Sequence, residues 1–470
     1  MKRFFFKKAS LLILCIAVLL PLADLNVNAA SSKPKNIILM IGDGMGPNQV
    51  AMARASKGSA LHMEGMPYKG TSSTSNYFGE VTDSAAGGTA LACGIKTKNG
   101  AVGITHDSEI VPNLRELFED KGKKTGLIST VSITDATPAA FGSHVENRSN
   151  QSAIAEQFIN DHNIDLIMGG GGKNFSADLR NTATQTKGYT LITSKTQMLS
   201  TNKTKLLGLF ADGNFPYYHD GYTAEIPTLE EMTNKGIETL KSSNTGFFLM
   251  VEGGAIDLAG HEGNKNRNIG ETLEFDKAVK AALDFAAQDG NTLVVVTADH
   301  ETGGLKYKET TEEYYFTSGN HTGADVPVFA YGVGASNFKG AMINTDINYK
   351  IKKLYDLIPT TTSTKNTTTK SVPKSTSTTK KAPTSTISNS SVSSTSKTDN
   401  ISGESTENIS TSSILGSSSN EVTSTQTSSA ATTSNPKPKD NGIMIVIVII
   451  AGVLVLGGGG FVVYKFVLKK

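Results

Sequence analysis

Tryptophan is absent from the 470 residues, and cysteine nearly so, with 2 copies. Cys15 falls inside an N-terminal leader, which leaves Cys93 alone in the mature chain with no partner for an internal disulfide. A small disulfide-stapled scaffold is thereby excluded, and Cys93 is expected to pack as a buried small hydrophobe. A field of one sign is lacking too, because 45 Lys+Arg face 43 Asp+Glu for a formal +2. No basic surface gathers nucleic acid, and no nucleic-acid binding is expected. Partners must be read from sites.

The ends of the chain are compositionally foreign to a folded domain. Lys2, Arg3, Lys7 and Lys8 precede an apolar run over residues 11–20 and the small-residue triplet Val27-Asn28-Ala29. This pattern reads as a secretory signal peptide over residues 1–29, too short in its apolar part to span a bilayer. A lipoprotein signal at Cys15 is weaker, since Leu14 stands where lipid attachment wants a small residue. Over residues 360–440 more than half the positions are Ser or Thr, too little apolar surface to offset the entropy of ordering. A disordered stalk, open to O-glycosylation, is expected there. Residues 443–464 carry no charge and are almost wholly apolar, which predicts a transmembrane helix. Lys465, Lys469 and Lys470 follow it, so residues 465–470 are expected to be a short cytoplasmic tail. The expected product is exported and held at the cell surface by a single-pass membrane anchor. Its folded part, residues 30–359, is long enough for one large domain outside the membrane.

Within that domain strand-like and helix-like segments alternate. Short β-branched runs predict strands over 36–41, 124–130, 165–168, 246–251, 291–297 and 327–331. Helical spacing predicts helices over 47–57, 84–93, 112–121, 152–160, 227–242 and 270–288. The pattern is that of an α/β fold, doubly wound, with a mostly parallel central sheet and helices on both faces.

Carboxylates and imidazoles recur just past the C-terminal ends of these strands. Asp43 follows the first; Asp135 and Thr137 follow the second; Glu252, Asp257 and His261 follow the fourth; Asp299 and His300 follow the fifth. In open α/β sheets the ligand crevice lies outside those strand ends. Carboxylates so crowded would repel by several kcal/mol in a low-dielectric cleft, so a cation is needed to hold them. His with Asp is a usual donor set for zinc. Asp257 and His261 are four apart, one face of a helical turn, although D-x-x-x-H alone is more often a surface pair. Ser84 opens a run of small helix formers, Asp83-Ser84-Ala85-Ala86-Gly87-Gly88-Thr89-Ala90. At a helix N-terminus its hydroxyl would sit where the macrodipole and free N–H groups favour anions, though an ordinary cap reads the same way in isolation.

Taken together, the motifs resemble those of the bacterial alkaline phosphatases over residues 36–331. They are Ile41-Gly42-Asp43-Gly44-Met45-Gly46, Asp83-Ser84-Ala85, Asp135-Ala136-Thr137-Pro138-Ala139-Ala140 with Arg148 beyond, Val251-Glu252-Gly253-Gly254 with Asp257 and His261, Thr297-Ala298-Asp299-His300-Glu301-Thr302-Gly303-Gly304, and His321-Thr322-Gly323. The resemblance implies a phosphate monoester hydrolase with two Zn2+ and one Mg2+. It would place the first zinc on Asp257, His261 and His321, the second on Asp43, Asp299 and His300, and magnesium on Asp43, Asp135, Thr137 and Glu252. Ser84 would be the nucleophile that forms a phosphoserine, and Arg148 would clamp phosphate oxygens with its planar fork. Binding contacts confined to the phosphoryl group imply a broad class of alcohol leaving groups. A homodimer is also expected as an option, since many relatives are dimers.

The chain departs from the family in places. Enteric members carry a lysine directly after the zinc aspartate, and Leu258 stands here, so their phosphate contact at that position is missing. Their disulfides have no counterpart. Residues 176–224 carry no motif and read as an insertion over the site or a subunit contact. His144, four residues before Arg148, reads equally as its orienting partner or as a packed side chain. His62, His106, His162 and His219 read as packing or surface residues. A phosphodiesterase or sulfatase on the same metal fold is the alternative chemistry, disfavoured because no C/S-x-P-x-R context surrounds Ser84. A metal-storage or adhesion module would have no use for Ser84 and Arg148 together.

Overall fold

Ile37, Leu39 and Ile41 point to one face of the strand Asn36–Gly42, Ile38 and Met40 to the other, and all five are fully buried. A strand with no solvent face must lie inside a sheet covered on both sides. The computed structural model describes residues 33–358, 452–456 and 460–464, and places that strand near the middle of a ten-stranded sheet. From edge to edge the order is Gly340–Ile343, Tyr68–Ser73, Val326–Gly332, Thr292–Thr297, Asn36–Gly42, Phe247–Gly253, Lys124–Ser132, Leu166–Gly170, Leu206–Leu209 and Thr190–Ile192. Val326–Gly332 pairs antiparallel with both neighbours, and the other pairings of this sheet are parallel. The expected α/β class, mostly parallel with helices on both faces, is what the chain adopts.

Each face has its own apolar cluster. On one, Phe248 stacks between Phe118 and Phe141, at ring-centroid distances of 5.5 and 6.0 Å. On the other, Phe275, Ile256 and Met232 pack on Ile38, Met40 and Val251. Burial of a Phe side chain contributes on the order of 1.5–3 kcal/mol, so these rings hold helices to the sheet more strongly than any surface ion pair.

Each expected strand is present, with ends moved by one or two residues. The long helix Lys265–Asp289 starts earlier than expected because the Asn264 side chain accepts from Arg267 N and caps it there; Gly290 ends it in the left-handed region, at φ 68°. Cys93 is free and buried, as expected. The strands Tyr68–Ser73 and Gly340–Ile343 were not legible, being short and only partly apolar. Residues 176–224, which carry no motif, supply Thr190–Ile192 and Leu206–Leu209, and these extend the parallel sheet at its edge.

The expected signal peptide (1–29), stalk (360–440) and basic tail (465–470) lie outside the described residues. The expected transmembrane helix over 443–464 is corrected where it is described. Gly452–Leu456 and Gly460–Tyr464 are antiparallel strands, consistent with β-branched valines flanking a run of four glycines that weakens a helix. No described helix is long and apolar enough to cross a membrane.

Candidate active site

Four neighbouring parallel strands, Thr292–Thr297, Asn36–Gly42, Phe247–Gly253 and Lys124–Ser132, carry the functional residues at or just past their C-terminal ends. Asp43 follows the second, Asp299 and His300 the first, and Glu252 is the penultimate residue of the third. The helix Ala255–His261, which follows that third strand after one residue, holds Asp257 and His261 on one face. Asp135 caps the helix Ala136–Gly142, where its side chain accepts from Ala136 N, and Thr137 lies in the first turn. His321 arrives on a two-residue strand paired antiparallel with Glu301–Thr302.

Ser84 is the first residue of the helix Ser84–Cys93, only 2 % exposed, and Asp83 caps that helix by accepting from Ala86 N. Its small residues are a packing requirement. A Cβ on Gly87 would stand 3.1 Å from Asp299, and one on Gly88 3.2 Å from the Thr137 Cα. Any side chain there would make Asp299 or the Thr137 backbone give way by a few tenths of an ångström. Gly44 is constrained twice over, by φ +70° and by Asp257 Cα, which a Cβ would meet at 2.9 Å.

The histidines share one construction. His261 Nδ1 donates to Gly319 O at 2.7 Å, His321 Nδ1 to Thr82 O at 2.9 Å, and His300 Nδ1 to Thr302 Oγ1 at 3.2 Å. Carbonyls only accept, and Thr302 spends its own proton on Asp257, so each Nδ1 carries a hydrogen and the inward-facing Nε2 is the atom left to take up a metal or a proton. His261 and His321 Nε2 face each other at 3.1 Å, with Asp257 oxygens at 3.2 and 3.5 Å from them. Two imidazole nitrogens and a carboxylate at that spacing need a metal ion or a proton among them, and the two compete for the same atoms. His300 Nε2 lies 3.3 Å from Asp299 Oδ2, 3.6 Å from Asp43 Oδ1 and 3.2 Å from Ser84 Oγ. In each trio, Asp257–His261–His321 and Asp43–Asp299–His300, the donor atoms all fall within 4.8 Å of one another. Asp43 Oδ1, Asp299 Oδ2 and Glu252 Oε1 are buried without a hydrogen-bond partner. Orphaned anionic oxygens of this kind are costly, and a bound cation would satisfy them. The residues therefore fit metals.

The oxygen-rich corner is looser. Thr137 Oγ1 donates to Asp43 Oδ2 at 3.5 Å, and Glu252 Oε2 accepts from Ser129. Asp135 Oδ1 instead accepts from Arg148 Nη2 at 2.8 Å, while Arg148 Nη1 reaches Asp83 Oδ2 at 3.3 Å. Held between two carboxylates, the Arg148 guanidinium is kept charged and oriented. His144 is not its partner: that ring bonds Gly103 O and Glu116 and none of the crevice residues. Sequence reasoning gave no role to Thr302 and Ser129, which orient Asp257, His300 and Glu252, because a lone hydroxyl in a strand or turn carries no spacing signal.

Electrostatics follow the same geometry. Burial, then the charges of Asp299, Asp257 and Glu252, push the Asp43 carboxyl well above its ordinary range. Burial lifts Glu252 from 4.5 to about 8. Burial also opposes ionisation of Asp257, but hydrogen bonds from His261 and His321 win and hold it below the carboxylate range. The same bond to Asp257 lifts His261 from 6.5 to about 9. For Glu252 and His261 the folded protein binds the proton more tightly than the unfolded chain, so stability falls as pH rises between the paired values. Metal-free protein is expected to lose several degrees of melting temperature from about pH 5 to about pH 9, and zinc plus magnesium to abolish that loss. Thermal unfolding after EDTA dialysis checks this; a flat profile without metal contradicts it.

Comparison with known proteins agrees with the geometry. Residues 34–317 match the family model described as alkaline phosphatase. Alkaline phosphatase 3 of Bacillus subtilis is 34% identical over 409 residues, covering 68% of this chain and 88% of that protein. The alkaline phosphatase of Escherichia coli K12 is 34% identical over 411 residues, covering 69% and 87%. Among solved structures, alkaline phosphatase from the Antarctic bacterium TAB5 superposes with a TM-score of 0.64 at 36% identity, covering 69% of this chain and 98% of that one. On its motifs, its fold and these likenesses, the chain belongs to the alkaline phosphatase family.

Proposed function

We propose that this enzyme hydrolyses phosphate monoesters through a covalent phosphoserine on Ser84. The observation that carries the reading is the Ser84 hydroxyl at a helix N-terminus, 3.2 Å from His300 Nε2 and beside the buried Asp43 and Asp299 oxygens that lack partners. Asp257, His261 and His321 would hold one zinc, and Asp43, Asp299 and His300 the other. Asp43, Asp135, Thr137 and Glu252, oxygen donors throughout, suit magnesium. A solved variant of the TAB5 enzyme is described with Mg bound in its M3 site, which supports a hard-cation position in this family. When bound, these ions supply Lewis acidity for the attacking and leaving oxygens of an in-line displacement.

The chain's own residues do the rest. Burial keeps the His300 imidazole neutral, so its Nε2 is a lone-pair donor beside the nucleophile. Free N–H groups of the first turn of Ser84–Cys93 favour negative charge at Ser84 Oγ and on a phosphate next to it. Arg148 keeps further N–H donors beyond those given to Asp83 and Asp135, and these suit two phosphoryl oxygens. Attack by Oγ forms the Oγ–P bond as the ester P–O bond breaks and the alcohol departs. Water then cleaves Oγ–P, returns the proton to Ser84 and releases phosphate. None of these contacts reads the alcohol, so broad leaving-group tolerance follows.

Ser84→Ala is expected to lower p-nitrophenyl phosphate turnover at least about a thousandfold, and EDTA to abolish wild-type turnover until zinc and magnesium are restored. Turnover in Ser84→Ala within tenfold of wild type contradicts the serine route.

We further read the charged and apolar leader as an export signal and the uncharged run 443–464 as the point of membrane attachment. The full chain is expected to need detergent for release from membranes, and a chain ending at residue 359 to be released without it. Equal partitioning of the two removes the anchor.

A further inference from the structure

Outside the crevice, Glu116, His144 and His162 form a third cluster whose donor atoms lie within 4.8 Å of one another. They come from three segments: the helix Leu114–Glu119, the stretch after Ala136–Gly142, and the stretch after Gln151–Asn160. In sequence they are far apart, so no spacing motif betrays them.

We propose that Glu116, His144 and His162 bind one additional zinc ion at a site separate from the catalytic crevice. His144 is built like the crevice histidines. Its Nδ1 donates to Gly103 O at 2.6 Å, which turns Nε2 toward Glu116 Oε1 at 2.9 Å. His162 Nδ1 faces the same oxygen at 3.7 Å. Two imidazole nitrogens and one carboxylate are a recurrent zinc set, with the fourth position left for water. That position has room, because the cluster lines a shallow cavity of about 390 Å³ shared with Glu119, Asp120 and Asp161.

The opposing charge is Arg115, whose Nη2 lies 3.3 Å from Glu116 Oε1. Its guanidinium is anchored elsewhere, by Phe141 O at 2.7 Å and by Glu119. The four carboxylates of the cavity outweigh it. Glu116 spends Oε2 on Asn113 N in the capping box of its helix, which leaves Oε1 as the ligand atom. Burial works against ionisation of Glu116, but its bond to His144 holds the carboxyl near 2, and burial with the charge of Arg115 pushes His162 down to about 4. Burial opposes protonation of His144, but the bond to Glu116 raises it, so that ring gives up its Nε2 proton as the ion binds. The ion would tie together three segments, one of which leads to Arg148.

The test is zinc stoichiometry of the full chain with its crevice metals loaded, by equilibrium dialysis and elemental analysis. His162→Ala removes one ligand, and Glu116→Gln removes the carboxylate while keeping a residue suited to the capping box. Wild type is expected to hold one zinc per chain more than either variant, with equal p-nitrophenyl phosphate turnover in all three. Equal zinc content in wild type and either folded variant overturns the site. Because the readout is a difference between variants, it stands whether or not the crevice hydrolyses monoesters.

Discussion

The structure is organised around carboxyl oxygens and imidazole nitrogens held so close together that they need metal ions or protons among them. Asp43, Asp299, Glu252 and Asp257 share one crevice, at least three of their oxygens lack partners, and two histidine Nε2 atoms face each other at 3.1 Å. In a low-dielectric setting such an arrangement is destabilising by itself. It is tolerable as the metal-free form of a site completed by metal, and its cost to folding is the counterpart of its affinity for ions. Elsewhere the chain compensates, with strands buried on both faces and aromatic stacks that fasten helices to the sheet.

Precision in the crevice comes from rigid surroundings. The parallel strands set the positions of Asp43, Glu252, Asp299 and His300 through backbone registry, Ile41 opposite both Glu252 and Thr297. The orienting bonds of the histidines come from backbone carbonyls and Thr302, which move little. Gly44 lets backbone approach where a methyl group would collide, and at 87 and 88 a methyl group would be tight. Together these features place Ser84 beside His300 with both deeply buried and Arg148 at the more open rim.

Much of this was legible in the sequence, for physical reasons. A strand covered on both faces leaves a continuous apolar run, as in 36–41, and a polar residue just after it stands out. The start of the helix behind Asp83 was read directly from its cap, whereas the caps Asn113 and Asn264 were passed over and their helices were given other starts. The edge strand Gly340–Ile343 and its neighbour Tyr68–Ser73 were hidden, because they expose much of their length and lack apolar patterning. The antiparallel sense of Val326–Gly332 depends on its neighbours, which a run of valine and phenylalanine does not reveal. The role of His144 was left open for a similar reason: proximity to Arg148 in sequence does not reveal the tertiary approach of Glu116, 28 residues away. At the C-terminus, hydropathy alone suggested one long helix over 443–464, whereas the described parts of that run pair as strands on either side of glycines.

The central claim is that Ser84 becomes phosphorylated during turnover. The most direct measurement is acid quenching of the metal-loaded enzyme during hydrolysis of a phosphorus-32-labelled monoester, followed by peptide mapping of the label. The account predicts covalent label on the peptide containing Ser84, formed and lost at rates compatible with turnover. Sustained turnover with no protein-bound label, or with label on another residue, would contradict it.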